Sequence, residues 1–322
     1  MIAVDWRTLD ATEMAPLYAT ETGRWLRELA WDSAPAWAAV ELARTTWGLP
    51  GLVCVDVTRR VRGWTFYLPV KDRLDIGGFV SDSSEGTAIL VDALLERAGS
   101  PQRLGGLVFA TAADLASILT SRHVFHQRYS YRLRRLDEAP SSLMVSDRQP
   151  LRWPGLLRAW SESDIDATSE LLYESYDRNA GPIGPGATLH DWREYVTNLS
   201  CHGGCGMLSP LLSRVLTIDG VVAAATLVST IAPQTAHLVQ LAVRRAQQGA
   251  GLGHALLATA VEASRHAGFR AISLLVAQDN EAALRLYQQA GFVEQGTFVA
   301  LRARTQNSEF RTENAEPNLN TN

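Results

Sequence analysis

The sequence predicts a mixed α/β protein made of two tandem domains, each a central twisted mixed sheet flanked by helices. Three observations predict it. Over the C-terminal half, strand and helix periodicities alternate, with an antiparallel hairpin first and a helix–strand–helix run later. The chain has 322 residues, long for one domain and comfortable for two. The two halves also repeat. Shifted back by 167 residues, Gly253 falls on Gly86, strand 271–277 on 104–110, Phe292 on Phe125 and Phe298 on Tyr131. Upstream the offset is 154, with Trp160 on Trp6 and Asp164 on Asp10.

In the C-terminal half the elements read in order. Residues 156–160 are a short strand, and 164–177 an amphipathic helix with Asp164 as its candidate cap. The glycine–proline run 181–186 is a shaped loop, and 190–199 a second helix. Strands 211–218 and 221–229 flank Asp219-Gly220, a strong hairpin signal. Strand 236–244, helix 253–266, strand 271–277, helix 281–290 and strand 296–301 follow, with Gly268 and Gly291 stopping the helices. Polar, proline-flanked 140–154 reads as a linker between domains 1–139 and 155–304. Residues 305–322 read as a disordered tail.

Composition narrows the function classes. Apolar residues make up 46% and charged residues 20%, as in a soluble globular protein. A net charge of −4 gives no basic surface for nucleic acid or membrane. No apolar run reaches the roughly 20 residues of a membrane span, and no signal peptide is visible, so a cytoplasmic protein is expected. Three cysteines make no disulfide framework. Cys201-His202-Gly203-Gly204-Cys205 offers three metal ligands without an obvious fourth; two free thiols in a glycine loop are the plainer reading, and no metal is expected.

The stretch that carries chemistry is Leu241–Gly253, where a strand ends and a glycine-rich turn opens a helix. Gln248-Gly249-Ala250-Gly251-Leu252-Gly253 has the form Gln-x-x-Gly-x-Gly. Its glycines allow close backbone approach, and the helix start offers unpaired N–H groups to a phosphate or pyrophosphate. Arg244 and Arg245 add positive charge nearby. Alone the turn is ambiguous, since a tightly packed turn without a ligand has the same composition. It follows a hairpin, unlike a dinucleotide fingerprint, and has no lysine, unlike a nucleotide-triphosphate loop.

A second pattern follows the next strand: Asn280, Ala283, Tyr287, Gly291 and Phe292, as Asn-x-x-Ala-x-x-x-Tyr-x-x-x-Gly-Phe. With both motifs in this order, the C-terminal half resembles the GNAT superfamily of N-acetyltransferases. The resemblance implies an acetyl-CoA-dependent N-acetyltransferase acting on a small-molecule or peptide amine by direct attack on the thioester. It implies that Gln248, Gly249, Ala250, Gly251, Leu252, Gly253 and His254 lie at the coenzyme A pyrophosphate. Leu241, Ala242 and Val243 would run along the pantetheine arm, with the Val243 N–H polarising the thioester carbonyl. Asn280 and Ala283 would flank the arm, and Tyr287 would donate to the departing thiolate. A buried core tyrosine is the alternative reading of Tyr287.

His237 is the candidate base, four residues before Leu241 and expected on the same strand face; a packed strand histidine is the alternative. Tyr173, Tyr176, Asp177 and Arg178 are candidates to shape the acceptor pocket.

The N-terminal half lacks these motifs. Ser81, Ser84 and Gly86 stand where Gln248, Gly251 and Gly253 stand, with Asp82 and Glu85 adding negative charge; Ala113 replaces Asn280 and Thr120 replaces Tyr287. It reads as a degenerate copy. It holds six of the nine tryptophans and could replace the partner of a dimer, leaving the chain monomeric. Two other functions remain open: a non-catalytic acyl-CoA-binding regulator, and a tandem enzyme resembling mycothiol synthases.

Overall fold

The structure, a computed structural model, describes residues 1–137, 154–176, 188–201 and 206–301. The linker up to residue 153, Asp177, Arg178, the 181–186 loop, residues 202–205 with the Cys201 side chain, and the tail lie outside the described residues.

The first half of the chain runs β1 (Ile2–Asp5), α1 (Ala11–Leu29), α2 (Ala34–Thr46), β2 (Gly51–Val55), β3 (Val61–Val70), β4 (Arg73–Ser81), α3 (Ser84–Ala98), β5 (Leu104–Phe109), α4 (Leu115–Ser121) and β6 (His126–Arg135). The second runs β7 (Leu156–Ala159), α5 (Ile165–Ser175), α6 (Leu189–Cys201), β8 (Met207–Leu208), β9 (Arg214–Ile218), β10 (Val221–Ala232), β11 (Thr235–Val243), α7 (Leu252–His266), β12 (Ala271–Ala277), α8 (Glu281–Gln289) and β13 (Val293–Leu301). β5 and β12 begin 167 residues apart (271 − 104), as do β6 and β13 (293 − 126). The repeat read from the sequence is thus a repeat of elements.

Two compact units form, and each draws on both halves of the chain. The first comprises Met1–Thr8, Leu49–His126 and the chain from Val299. Its sheet order is β1-β2-β3-β4-β5, and Leu90, Leu94 and Leu119 of α3 and α4 bury against Leu52, Phe79 and Leu104. The second comprises Leu9–Gly48 and Gln127–Phe298. Its strands run β6-β12-β11-β10-β9-β7, with β8 beside β10. Here α7 and α8 cover one face through Leu257, Val261, Tyr287 and Ala290. On the other face α5 and α6 bury Leu171, Leu172, Trp192 and Val196.

Local chemistry explains the elements. Asp219 and Gly220 both take positive φ, 49° and 81°, the conformation a two-residue hairpin turn requires. Asp164 takes the N-cap position of α5, as expected, but makes no cap hydrogen bond there; Ser161 opens the short turn before it. Asp164 is the third residue of the capping box and is gripped by both terminal nitrogens of Arg158, at 2.7 and 2.6 Å. That guanidinium holds the Asp164 carboxyl below its usual range. Among the described residues no helix is long and apolar enough to cross a membrane.

The centre of the second sheet is irregular in two ways. First, β11 and β12 pair in parallel only from Thr235↔Ala271 to Leu238↔Leu274, although both strands continue. Second, β11 carries a bulge: Val228 faces Leu238 but Leu227 faces Gln240, so Val239 is an extra residue. An extra residue inverts the alternation of side chains downstream. His237 therefore shares a face with Gln240 and Ala242, and Leu241 lies on the opposite one. This corrects the expectation that His237 and Leu241 point the same way.

His237 lies in the paired, closed part of the sheet. It is 7% exposed, its Nδ1 sits 2.9 Å from Ser273 Oγ, and its ring stacks on Tyr131 with centroids 6.5 Å apart. Burial pushes its pKa down to about 4 from 6.5. Between those values the unfolded chain binds a proton that the fold refuses. The resulting stability is fully present above pH 6.5 and is lost as pH falls toward 4, by an amount of order 3 kcal/mol. Urea unfolding of the wild type should weaken over this window, and His237→Asn should flatten the dependence by about one proton. Parallel curves for the two proteins would show that another group titrates.

Candidate active site

Beyond Leu238 and Leu274 the two strands part, and burial marks the opening. Residues 235–238 and 271–274 are all buried, whereas Val239, Gln240, Leu241 and Val243 on one side and Leu275 and Ala277 on the other are half-buried. The Arg244 N–H bonds Ala223 O on β10 at 2.8 Å. Because successive amides alternate sides along a strand, the N–H groups of Leu241 and Val243 point away from β10, into the opening. Ala242 is buried among the α5 and α6 side chains and does not line it.

At the outer end of β11 lies the glycine turn. Gly249 and Gly251 both have φ of 81°, which glycine alone adopts without strain, and no atom lies within 4 Å of where their Cβ atoms would be. Gln248 braces the turn by donating its side-chain amide to Val243 O at 2.9 Å. Ala250 is exposed, and Leu252 turns inward to the core. Gly251 is the N-cap of α7 and supplies no side chain, so the first N–H groups of the helix, at Leu252, Gly253 and half-buried His254, lack a side-chain cap. An open cradle of main-chain donors at a helix start fits a pyrophosphate. Arg244 is paired with Glu174 and bonded to Val222 O, which offsets its charge; Arg245 is exposed.

At the inner end stands Tyr287. It projects from α8 into the cluster containing Leu238, Leu274 and Val276, with Leu241 packed alongside, and it meets Phe292 edge-on at 5.9 Å. Burial, reinforced by nearby Tyr176, holds its hydroxyl protonated well above the usual tyrosine range. Asn280 is the N-cap of α8, its Oδ1 accepting from Ala283 N at 3.1 Å; the side chain is exposed and keeps its two amide hydrogens outward. Ala283 is half-buried under the α8 core.

The opposite face of the opening is built from residues that sequence reasoning only partly found. Tyr176 donates to Gln240 Oε1, and Gln240 Nε2 donates to Tyr195 Oη at 2.8 Å. The Tyr176 ring stacks on Trp192 at 5.1 Å and 22°. Desolvation, with a smaller contribution from Tyr129, pushes the Tyr176 pKa up to about 12. Tyr129 comes from β6, opposite Ala277. Gln240 had a signal, a lone amide in an otherwise apolar strand end. Trp192 and Tyr195 had helical spacing. Tyr129 had none, since its partner in the sheet, Ala277, lies 148 residues on (277 − 129).

The first unit shows the same early end of a parallel ladder. β4 and β5 pair in parallel only from Leu74↔Leu104 to Ile76↔Gly106, and Gly77 is an extra residue opposite β3. The Phe66 ring lies directly on Gly77 and Gly78, leaving no room for a Cβ at either. Trp6 stacks on Phe66 at 5.7 Å and 8°. The start of α3 is closed too: Ser83 caps Gly86 N, Ser84 bonds Asp114, and Glu85 and Asp82 pair with the Met1 amine and Arg62. Three carboxylates thus stand where the second unit presents bare amides.

Residues 170–292 match the model of the acetyltransferase (GNAT) family. Among solved structures, a GCN5-related N-acetyltransferase from Sphaerobacter thermophilus is 17% identical over 82% of this chain and 84% of its own, with a TM-score of 0.58. A GNAT-family acetyltransferase from Colwellia psychrerythraea is 11% identical over 94% and 99%, at 0.52. A tandem GNAT protein from the clavulanic acid biosynthesis pathway is 18% identical over 80% and 84%, at 0.49. No curated protein matches the chain. At these identities the structures from Sphaerobacter thermophilus and Colwellia psychrerythraea speak for the fold alone, and the family model speaks for the motif-bearing stretch: residues 170–292 match an acetyltransferase (GNAT) domain.

Proposed function

We propose that the second unit transfers an acetyl group from acetyl-coenzyme A to a primary amine. One observation carries the reading: a single opening between β11 and β12 has an uncapped glycine turn at one end and a buried, protonated tyrosine at the other. In this reading Gln248 to His254 hold the pyrophosphate through main-chain amides. The pantetheine arm lies along β11, meeting the N–H of Val243 first. The thioester carbonyl lies against one of the two N–H groups that face the opening, that of Val243 or that of Leu241. There the N–H polarises the carbonyl and stabilises the developing oxyanion.

The amine nitrogen attacks the thioester carbon, the C–S bond breaks, and the sulfur leaves as a thiolate that takes a hydrogen bond or proton from Tyr287. The attacking nitrogen sheds its extra proton to water. Burial makes Tyr287 a weaker acid, so its contribution is stabilisation of the leaving charge more than complete transfer. His237 takes no part in this scheme. A pKa near 4 makes it a poor acceptor from an ammonium, and its ring is engaged by Ser273 and Tyr131. The acid-lined helix start of the first unit supports a copy that binds no coenzyme A.

Tyr287→Phe should lower kcat by about 10–1000-fold while the KM for acetyl-coenzyme A stays within about twofold, measured as coenzyme A release. A wild-type kcat would remove Tyr287 from the mechanism.

Calorimetric titration should give a single coenzyme A per chain. Ala250→Glu places a carboxylate on the exposed turn and should weaken that binding about tenfold without lowering the melting temperature. A second site of comparable affinity would count against the first unit being closed.

A further inference from the structure

Tyr287 sits near the end of a short helix, and that end is held from outside the helix. Resting on the acyl-transfer reading above, we infer that Arg134 and Arg132, supplied by the N-terminal half of the chain, are positioning residues for Tyr287: they fix the end of α8 so that its hydroxyl meets the departing sulfur.

α8 has nine residues, too few to be stable alone, and Tyr287 is the one of them that is buried. Its direction is therefore set by what grips its two ends. β6 grips both. At the start, Gln127 donates to both carboxylate oxygens of Asp279, at 3.1 and 3.0 Å, and Arg128 O accepts from Gln278 N at 3.0 Å. At the far end, Arg134 Nη1 donates to Ala290 O at 2.8 Å and Arg132 Nη1 to Phe292 O at 3.4 Å. The strand register makes this reach possible. Arg132 faces Leu274 and Arg134 faces Ile272 across the β6–β12 pair, so both side chains stand on the sheet face that α7 and α8 cover.

The turn held by the two arginines closes on Tyr287 itself. Gly291 takes a φ of 79°, which lets the chain reverse, and Phe292 N–H then donates to Tyr287 O at 2.9 Å. The Phe292 ring is the one that meets the Tyr287 ring edge-on. Arg134 holds the residue before Gly291 and Arg132 the residue after it. Arg134 is 6% exposed, and burial together with nearby Arg265 disfavours its charge. A buried guanidinium is costly unless it is hydrogen-bonded. The carbonyl end of α8, where the helix dipole is negative, is what this one meets. A hydrogen bond weakens steeply with distance and angle, so a small rotation of α8 takes the Tyr287 hydroxyl off the sulfur.

The thiol of bound coenzyme A tests this without any acceptor amine. A Tyr287 hydroxyl aimed at the sulfur favours the thiolate and lowers the thiol pKa. Thiolate absorbance is titrated in the coenzyme A complex, with the desulfo-coenzyme A complex as blank. Tyr287→Phe should raise the thiol pKa by about one unit. Arg134→Met should raise it by at least about half as much, while affinity for coenzyme A stays within about twofold. In the Tyr287→Phe background Arg134→Met should add nothing. Arg134→Lys, which keeps a cation and a donor, should recover most of the shift. Arg132→Met is read against the same outcomes should Arg134→Met not fold. A wild-type thiol pKa in the folded arginine variants, a shift that adds to that of Tyr287→Phe, or no recovery in Arg134→Lys would each overturn the positioning role and leave the acyl-transfer reading standing. No coenzyme A binding, or a Tyr287→Phe complex that titrates like the wild type, would instead overturn that reading and this inference with it.

Discussion

Where a parallel ladder ends before its strands do, the main-chain groups beyond the last pair lose their partners. Unpartnered amides cost about 1–3 kcal/mol each once shielded from water, so such a break persists only where water or a ligand can serve them. In the second unit the break follows Leu238↔Leu274, and the bulge at Val239 keeps the strands from closing again by setting the rest of β11 out of phase. The chemistry proposed here depends on that arrangement. The amides of Leu241 and Val243 are the groups left facing the opening, and a pantetheine arm, itself an extended chain of amides, is the kind of ligand that completes them. Neither Tyr287 nor the glycine turn would have anything to act on if the two strands paired to their ends.

The same break occurs twice in the chain and meets opposite fates. In the first unit Gly77 takes the place of Val239 and Gly78 that of Gln240, and Phe66 and Trp6 occupy the space that the missing side chains leave. The N-terminal half is nonetheless tied to the second unit's sheet. β6 pairs with β12 over seven residues, from Tyr129 to Arg135. Without β6, β12 would carry an unpaired edge alongside the opening. The strand also delivers Tyr131, stacked on His237, and Tyr129 at the acceptor face. A degenerate copy can therefore be indispensable to the site without binding substrate itself.

Legibility in the sequence followed the range of the interactions. Turn and cap chemistry is local, so Asp219-Gly220, the glycine turn and the helix start at Asn280 were readable from a few residues each. The strand 271–277 was readable because its apolar run is continuous. The bulge was not, because Val239 is apolar in an apolar strand and its extra count appears only against β10. That one residue overturned the expected face of His237. The pairing of β6 was equally hidden, since partners 136 (271 − 135) to 148 (277 − 129) residues apart leave no periodic trace. The cap position of α5 at Asp164 was legible, but not that its carboxylate would serve the preceding turn and Arg158 instead of its own helix.

Burial, finally, supplies an account of the proton that needs no dedicated base. The environment that pushes His237 down to about 4 and Tyr176 up to about 12 disfavours charge of either sign. An ammonium entering the same face meets the same penalty, so its pKa falls and its neutral fraction rises. In water an amine with a pKa near 10 is neutral in only about one molecule in a thousand at pH 7; each unit of depression raises that fraction about tenfold.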